Sequence, residues 1–112
     1  TPAMAWVDTP LPGQSVARQL TVSGWAFKDG VGLSGVELLL DGQPAGWAAY
    51  GRPHDVRRHW AGSQDPQHPR VGFDARLDLS GHAPGAYWLG LRLHGHDGSV
   101  EDWPQQQILL RP

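Results

Sequence analysis

The sequence contains no cysteine, which excludes thiol nucleophiles, thiolate metal sites and disulfide staples together. Packing alone must hold the chain. Asparagine is also missing, and with it any N-glycosylation acceptor. Positive charge is scarce: nine Lys and Arg stand against eleven Asp and Glu, for a net charge of -2. A nucleic-acid partner held by phosphate contacts is therefore not expected. No apolar run approaches the roughly 20 residues of a spanning helix, and no charged-then-apolar leader opens the chain. No membrane insertion by this segment is expected. Long helices are disfavoured as well, because 15 Gly and 10 Pro are scattered without a fixed period, as in a chain with many turns.

What is present suits one small domain. A chain of 112 residues with 39% hydrophobic content can bury a single core without metal or disulfide support. Residues 1–112 read as one domain, and the start at Thr1 reads as a fragment of a larger protein. Apolar residues alternate with polar ones between closely spaced turn signals, the period of half-buried strands. Strands are expected over Ala3 to Asp8, Arg18 to Phe27, Val36 to Leu40, Pro44 to Tyr50, Phe73 to Leu79, Tyr87 to Leu93 and Val100 to Leu110. Asp41-Gly42 is a strong two-residue hairpin signal. The alternation stops over Gly51 to Arg70, a polar, Pro-bearing segment expected to form one long irregular loop. The fold class that follows is all-β: a two-sheet antiparallel Ig-like sandwich of about seven strands. Tyr87, two residues after Gly85, suits the tyrosine corner of such sandwiches.

Several motifs invite chemistry and most have a plainer reading. Gly30-Val31-Gly32-Leu33-Ser34-Gly35 matches a dinucleotide fingerprint, but Val36 to Leu40 alternates and ends at Asp41-Gly42, too soon for the helix such a site needs. The glycines fit a strand-to-strand loop with positive φ. Six His residues include His94 and His96 at alternate positions and His54 and His59 in the long loop, without the spacing of a metal site. No metal or cofactor is expected. There is no G-x-S-x-G elbow and no H-E-x-x-H helix, and Glu101-Asp102 would point to opposite faces of a strand, so no catalytic residues and no enzymatic activity are expected.

In Arg52-Pro53-His54-Asp55-Val56, an architectural role is expected: Arg52 pairs with a carboxylate or loop carbonyls, Asp55 caps a short helical turn, and Val56 plugs the core. The six Trp residues carry the functional question. With Leu89, Leu91 and Leu93 inward, Trp88, Arg92 and His94 fall on an outer face, where an indole can stack on a sugar ring while polar neighbours bind its hydroxyls. Trp25, Trp47 and Trp60 are further stacking candidates, with Arg52, Arg92 and His94 as hydrogen-bonding partners. Burial in the core or against another domain is the competing fate of these rings.

The strings Val22-Ser23-Gly24-Trp25-Ala26-Phe27, Val36-Glu37 through Asp41-Gly42, Arg52 to Val56, Gly72-Phe73 and Asp97-Gly98, in that order, resemble bacterial Ig-like, fibronectin type III-like accessory modules. Such modules are appended to cell-envelope and polysaccharide-processing proteins. The resemblance runs from about Val7 to Leu110, with His54 interrupting the more usual Arg-Pro-Asp-Val. It implies an extracytoplasmic accessory module, periplasmic or at the cell surface. The expected role is non-catalytic glycan recognition in the bacterial cell envelope; the alternative is a structural module that docks on other domains of its parent protein.

Overall fold

The computed structural model describes residues 1–54 and 62–112. The expected cap at Asp55, plug at Val56 and platform at Trp60 lie outside the described residues. Among the described residues there are nine strands: β1 (Met4–Thr9), β2 (Ser15–Val16), β3 (Gln19–Phe27), β4 (Leu33–Leu40), β5 (Gln43–Trp47), β6 (Ala49–Arg52), β7 (Gly72–Asp78), β8 (Gly85–Gly95) and β9 (Val100–Leu110). They form a four-stranded sheet in the order β1-β3-β7-β6 and a five-stranded sheet in the order β2-β9-β8-β4-β5. All neighbours are antiparallel except β2 and β9.

The alternation in the sequence becomes the core between the sheets. Leu20, Val22 and Ala26 of β3 and Phe73 and Leu77 of β7 meet Val36, Leu38 and Leu40 of β4, Leu89, Leu91 and Leu93 of β8, and Ile108 and Leu110 of β9. Each large side chain withdrawn in this way contributes roughly 1.5–3 kcal/mol of hydrophobic stabilisation. At one end of the sandwich, buried Lys28 donates to Glu101 Oε2 at 2.8 Å and to Ser99 Oγ at 2.9 Å, while Glu101 accepts from the Ala3 amide. The hydrogen bond between them raises Lys28 above and lowers Glu101 below the usual value. This latch joins β9 to the start of β1 and the end of β3.

The hairpin at Asp41-Gly42 is present, with φ of 49° and 79° and Leu40 paired with Gln43. Two successive positive φ angles give the turn whose twist matches the flanking strands. Its Asp41 also exchanges backbone and side-chain hydrogen bonds with Trp88, both at 2.8 Å, so the turn is stapled to β8. The Tyr87 hydroxyl donates to the Ala83 carbonyl at 2.5 Å, closing a tyrosine corner at the entry to β8.

The strand count exceeds the expected seven for two physical reasons. First, the run over Pro44 to Tyr50 changes sheet at Ala48, whose amide donates to the Val36 carbonyl, so one expected strand becomes β5 in one sheet and β6 in the other. Second, Ser15 and Val16 form a two-residue parallel pairing with Leu109 and Leu110, too short to leave a period. The start of the irregular segment expected at Gly51 is too early: β6 continues to Arg52, which pairs with Gly72, and the Tyr50 hydroxyl donates to the Ala26 carbonyl at 2.7 Å. A bulge between Tyr50 and Arg52 hides this pairing from a search for strict alternation.

Candidate functional site

Side chains that alternate with the core positions of β4 and β8 make the outer face of the five-stranded sheet. From β8 these are Trp88, Arg92 and His94, with Gly90 between them, and from β4 they are Glu37 and Leu39. Register places Glu37 beside Arg92 and Leu39 beside Gly90, while β9 sets Asp102 against Arg92 and Gln107 against Trp88. On the other side of β4, Glu37 pairs with Trp47 of β5.

The polar groups of this face are matched to one another. Arg92 grips Asp102 with two parallel bonds, Nε to Oδ1 at 2.8 Å and Nη2 to Oδ2 at 3.1 Å. These hydrogen bonds raise the Arg92 guanidinium above its usual value and lower the Asp102 carboxyl below its own. His94 Nε2 lies 3.0 Å from Glu37 Oε1. The imidazole in turn packs against the Trp47 indole, with ring centroids 4.8 Å apart and planes inclined by 44°. Trp47 reaches this position because residue 35 is glycine: a Cβ there would come within 2.9 Å of the indole. The third glycine of the apparent nucleotide fingerprint thus makes room for an aromatic ring, and Gly30 and Gly32 sit in the β3–β4 turn with positive φ.

Trp88 and Trp47 remain 48% and 60% exposed, each with an open surface. Between the two ends of the face lies a shallow hollow of about 320 Å³ lined by Leu39, Gly42, Asp102, Trp103, Pro104 and Gln105. The irregular pairing between Leu89–Gln106 and Leu91–Trp103 sets Pro104 and Gln105 apart from the regular ladder there. A larger cleft of about 510 Å³ opens between β5 and β7 near Pro44, Leu77 and Tyr87, but none of the sequence-predicted site residues lines it.

The structure therefore brings Trp47, Trp88, Arg92 and His94 onto one face and leaves the other candidates elsewhere. Arg52 lies on β6, in the opposite sheet, where its Nε pairs with Asp74 Oδ2 at 2.9 Å near the surface. Trp25 requires a correction: it is only 7% exposed and forms a second small core with Phe27 and Val71, on which Met4 packs. Its ring stacks on Phe27 at 5.6 Å, which leaves no open platform. Among the described residues, no three His, Asp or Glu side chains gather as metal ligands, and no helix is long and apolar enough to cross a membrane.

Sequence reasoning missed the partners. Glu37 and Asp102 orient His94 and Arg92, and the signal for Glu37 was its place in the same alternation that marked Leu38 as core. Asp65 was missed as well: it is buried, its Oδ2 accepts from the Lys28 amide at 2.8 Å, and its Oδ1 accepts from the Gln67 amide at 2.7 Å. Gln67 Oε1 accepts from the Leu33 amide at 2.8 Å, so two side chains of the long segment pin it to the β3–β4 turn. Asp65-Pro66-Gln67 carries a local sign of this, since an aspartate commonly accepts from the amide two residues on.

No protein-family model matches the chain, and no curated protein sequence is similar to it. Solved structures are similar. The fibronectin(III)-like modules of CbhA from Clostridium thermocellum match 96% of the chain with a TM-score of 0.60 and 20% identity. The endo-beta-1,4-mannanase from Thermotoga petrophila matches 99% of it with a TM-score of 0.65 and 10% identity. This chain spans only 46% and 20% of those two structures. CopC from Methylosinus trichosporium OB3b is matched over 95% of its own length and 97% of this chain, with a TM-score of 0.53 and 15% identity. The sheet order, the tyrosine corner and these likenesses agree: the chain has the fold of the Ig-like, fibronectin type III-like β-sandwich modules.

Proposed function

We propose that the chain is a non-catalytic accessory module of a larger extracytoplasmic bacterial protein, and that it recognises glycan through the outer face of its five-stranded sheet. One observation carries the reading: Trp47 and Trp88 stand exposed on the same face, with Arg92, Asp102, Glu37 and His94 held in fixed geometry between and beside them. An indole offers an apolar surface to the C–H face of a sugar, and oriented polar groups meet its hydroxyls. The likeness to modules of CbhA and to part of a mannanase supports a module appended to a polysaccharide-processing protein.

The test is a glycan array probed with the chain and with Trp88→Ala, followed by tryptophan-fluorescence titration of any hit. The expected result is a saturable hit that the variant loses while its circular dichroism stays unchanged. Silence across a broad array would overturn the reading. The competing role, docking on another domain of the parent protein, has its own support in Trp6 and Leu11, large apolar side chains exposed away from β8 and β4.

A further inference from the structure

Resting on the glycan reading, we infer that the ligand is a neutral, extended polysaccharide chain that lies along β8 from Trp88 to Trp47, rather than an acidic or a terminal sugar. The charges of the face argue for neutrality. Arg92 already gives two N–H groups to Asp102, and His94 Nε2 already faces Glu37, so both groups are matched to carboxylates of the face before a ligand carboxylate or sulfate arrives. A third carboxylate, Asp41, sits beside Trp88 and accepts its backbone amide. Three carboxylates against one guanidinium and one imidazole give a face that repels anions. Hydroxyls are a different matter. A guanidinium has five N–H groups and a carboxylate about four acceptor positions, so paired ions still offer both to a neutral sugar.

The spacing argues for an extended ligand. Trp88 and His94 are six positions apart on β8, about 20 Å at the rise of a strand, and Trp47 packs on His94. One terminal sugar needs one platform. Two platforms at opposite ends of a track suit a run of sugars. The middle of the track is low because no large side chain projects there: Gly90 and Leu39 are both buried, and the exposed Gln105 lies against Gly90. A Cβ at Gly90 would meet Gln105 and Leu39 at ordinary contact distances of 3.5 and 3.6 Å, so a β-branched residue there raises the floor while suiting the strand.

The experiment is calorimetric titration of the intact chain with β-1,4-linked mannan, glucan and xylan disaccharides and hexasaccharides, and with polygalacturonate, each repeated with Gly90→Thr, Trp47→Ala and Trp88→Ala. A neutral hexasaccharide is expected to bind at least about tenfold more tightly than its disaccharide. Gly90→Thr and Trp47→Ala should each remove most of that advantage, and polygalacturonate should not bind. Trp47→Ala keeps the test open should Gly90→Thr disturb the strand. Trp88-dependent binding of polygalacturonate, or equal affinity for both lengths, overturns this inference and leaves the glycan reading standing. Absence of binding to every polysaccharide overturns both.

Discussion

Aromatic residues point outward from both sheets of this sandwich by the same strand geometry, yet Trp25 and Phe27 on one sheet meet a different fate from Trp47 and Trp88 on the other. On the four-stranded sheet, Trp25 and Phe27 are covered and join Val71 in a second core, while Trp6, paired with Trp25 across β1 and β3, stays 57% exposed. On the five-stranded sheet, Trp47 and Trp88 stay open. Strand alternation is common to both, so it cannot be the cause. What differs is the chain around them: residues 62–71 are tied by Asp65 and Gln67 to the turn that follows β3, and Val71 hands its carbonyl to the Ala26 amide beside Trp25. Among the described residues, no such segment crosses Trp88, which stays 48% exposed. An outward Trp is therefore a structural element where a loop is pinned over it, and a candidate platform where none is.

That contrast can be broken at either side. The largest effect is expected from Trp25→Ala, about 3–5 kcal/mol of lost stability in denaturant unfolding, because the cavity opens inside a packed cluster. A loss under about 1 kcal/mol would mean that the covering is loose. Asp65→Ala should follow, at roughly 2–4 kcal/mol, since it strands the Lys28 and Gln67 amides that its carboxylate satisfies. Its Trp fluorescence should also shift toward that of solvated indole as Trp25 is uncovered.

Acid examines both regions together. Glu101 and Asp102 are lowered from ordinary values of 4.5 and 3.8 chiefly by hydrogen bonds from Lys28 and Arg92, and Asp78 and Asp97 are lowered by Ser80 and Ser99. A carboxyl lowered by folding stabilises the fold fully above its ordinary value and loses that contribution as pH falls through its folded value. Stability should therefore be flat through neutral pH and decline below about pH 4, which a thermal-melt series would show. A maximum near pH 3 would contradict these pairings.

Smaller effects sharpen the comparison. Tyr87→Phe removes the corner hydrogen bond and should cost about 1 kcal/mol. Trp88→Ala should change stability by no more than about 0.5 kcal/mol while abolishing glycan binding. Destabilisation of several kcal/mol by Trp88→Ala would place this ring with Trp25 as a structural element.

Much of this was legible in the chain. Leu20, Val22, Leu38, Leu89, Leu91 and Leu93 alternate, and alternation on a pleated strand decides which side faces the core. Asp41-Gly42 declares its turn because few residue pairs accept two positive φ angles. The outward set Trp88, Arg92 and His94 follows from the same parity. Trp47 was named without its seat, since its packing on His94 depends on Gly35, a residue of another strand. Trp25 was misread because its parity is outward and its cover comes from residues far along the chain.

By itself, then, the sequence determined the local and periodic properties: a cysteine-free all-β chain, its core stripes, its main hairpin and the outward direction of its aromatic residues. These depend on backbone geometry and on neighbours within a few positions. Only the tertiary structure decided that β5 and β6 lie in different sheets, that Arg52 stands apart from Arg92, that Asp65 anchors the long segment, and which outward Trp is covered. Each of those depends on contacts between residues distant in sequence, and burial is a property of what arrives from elsewhere in the chain.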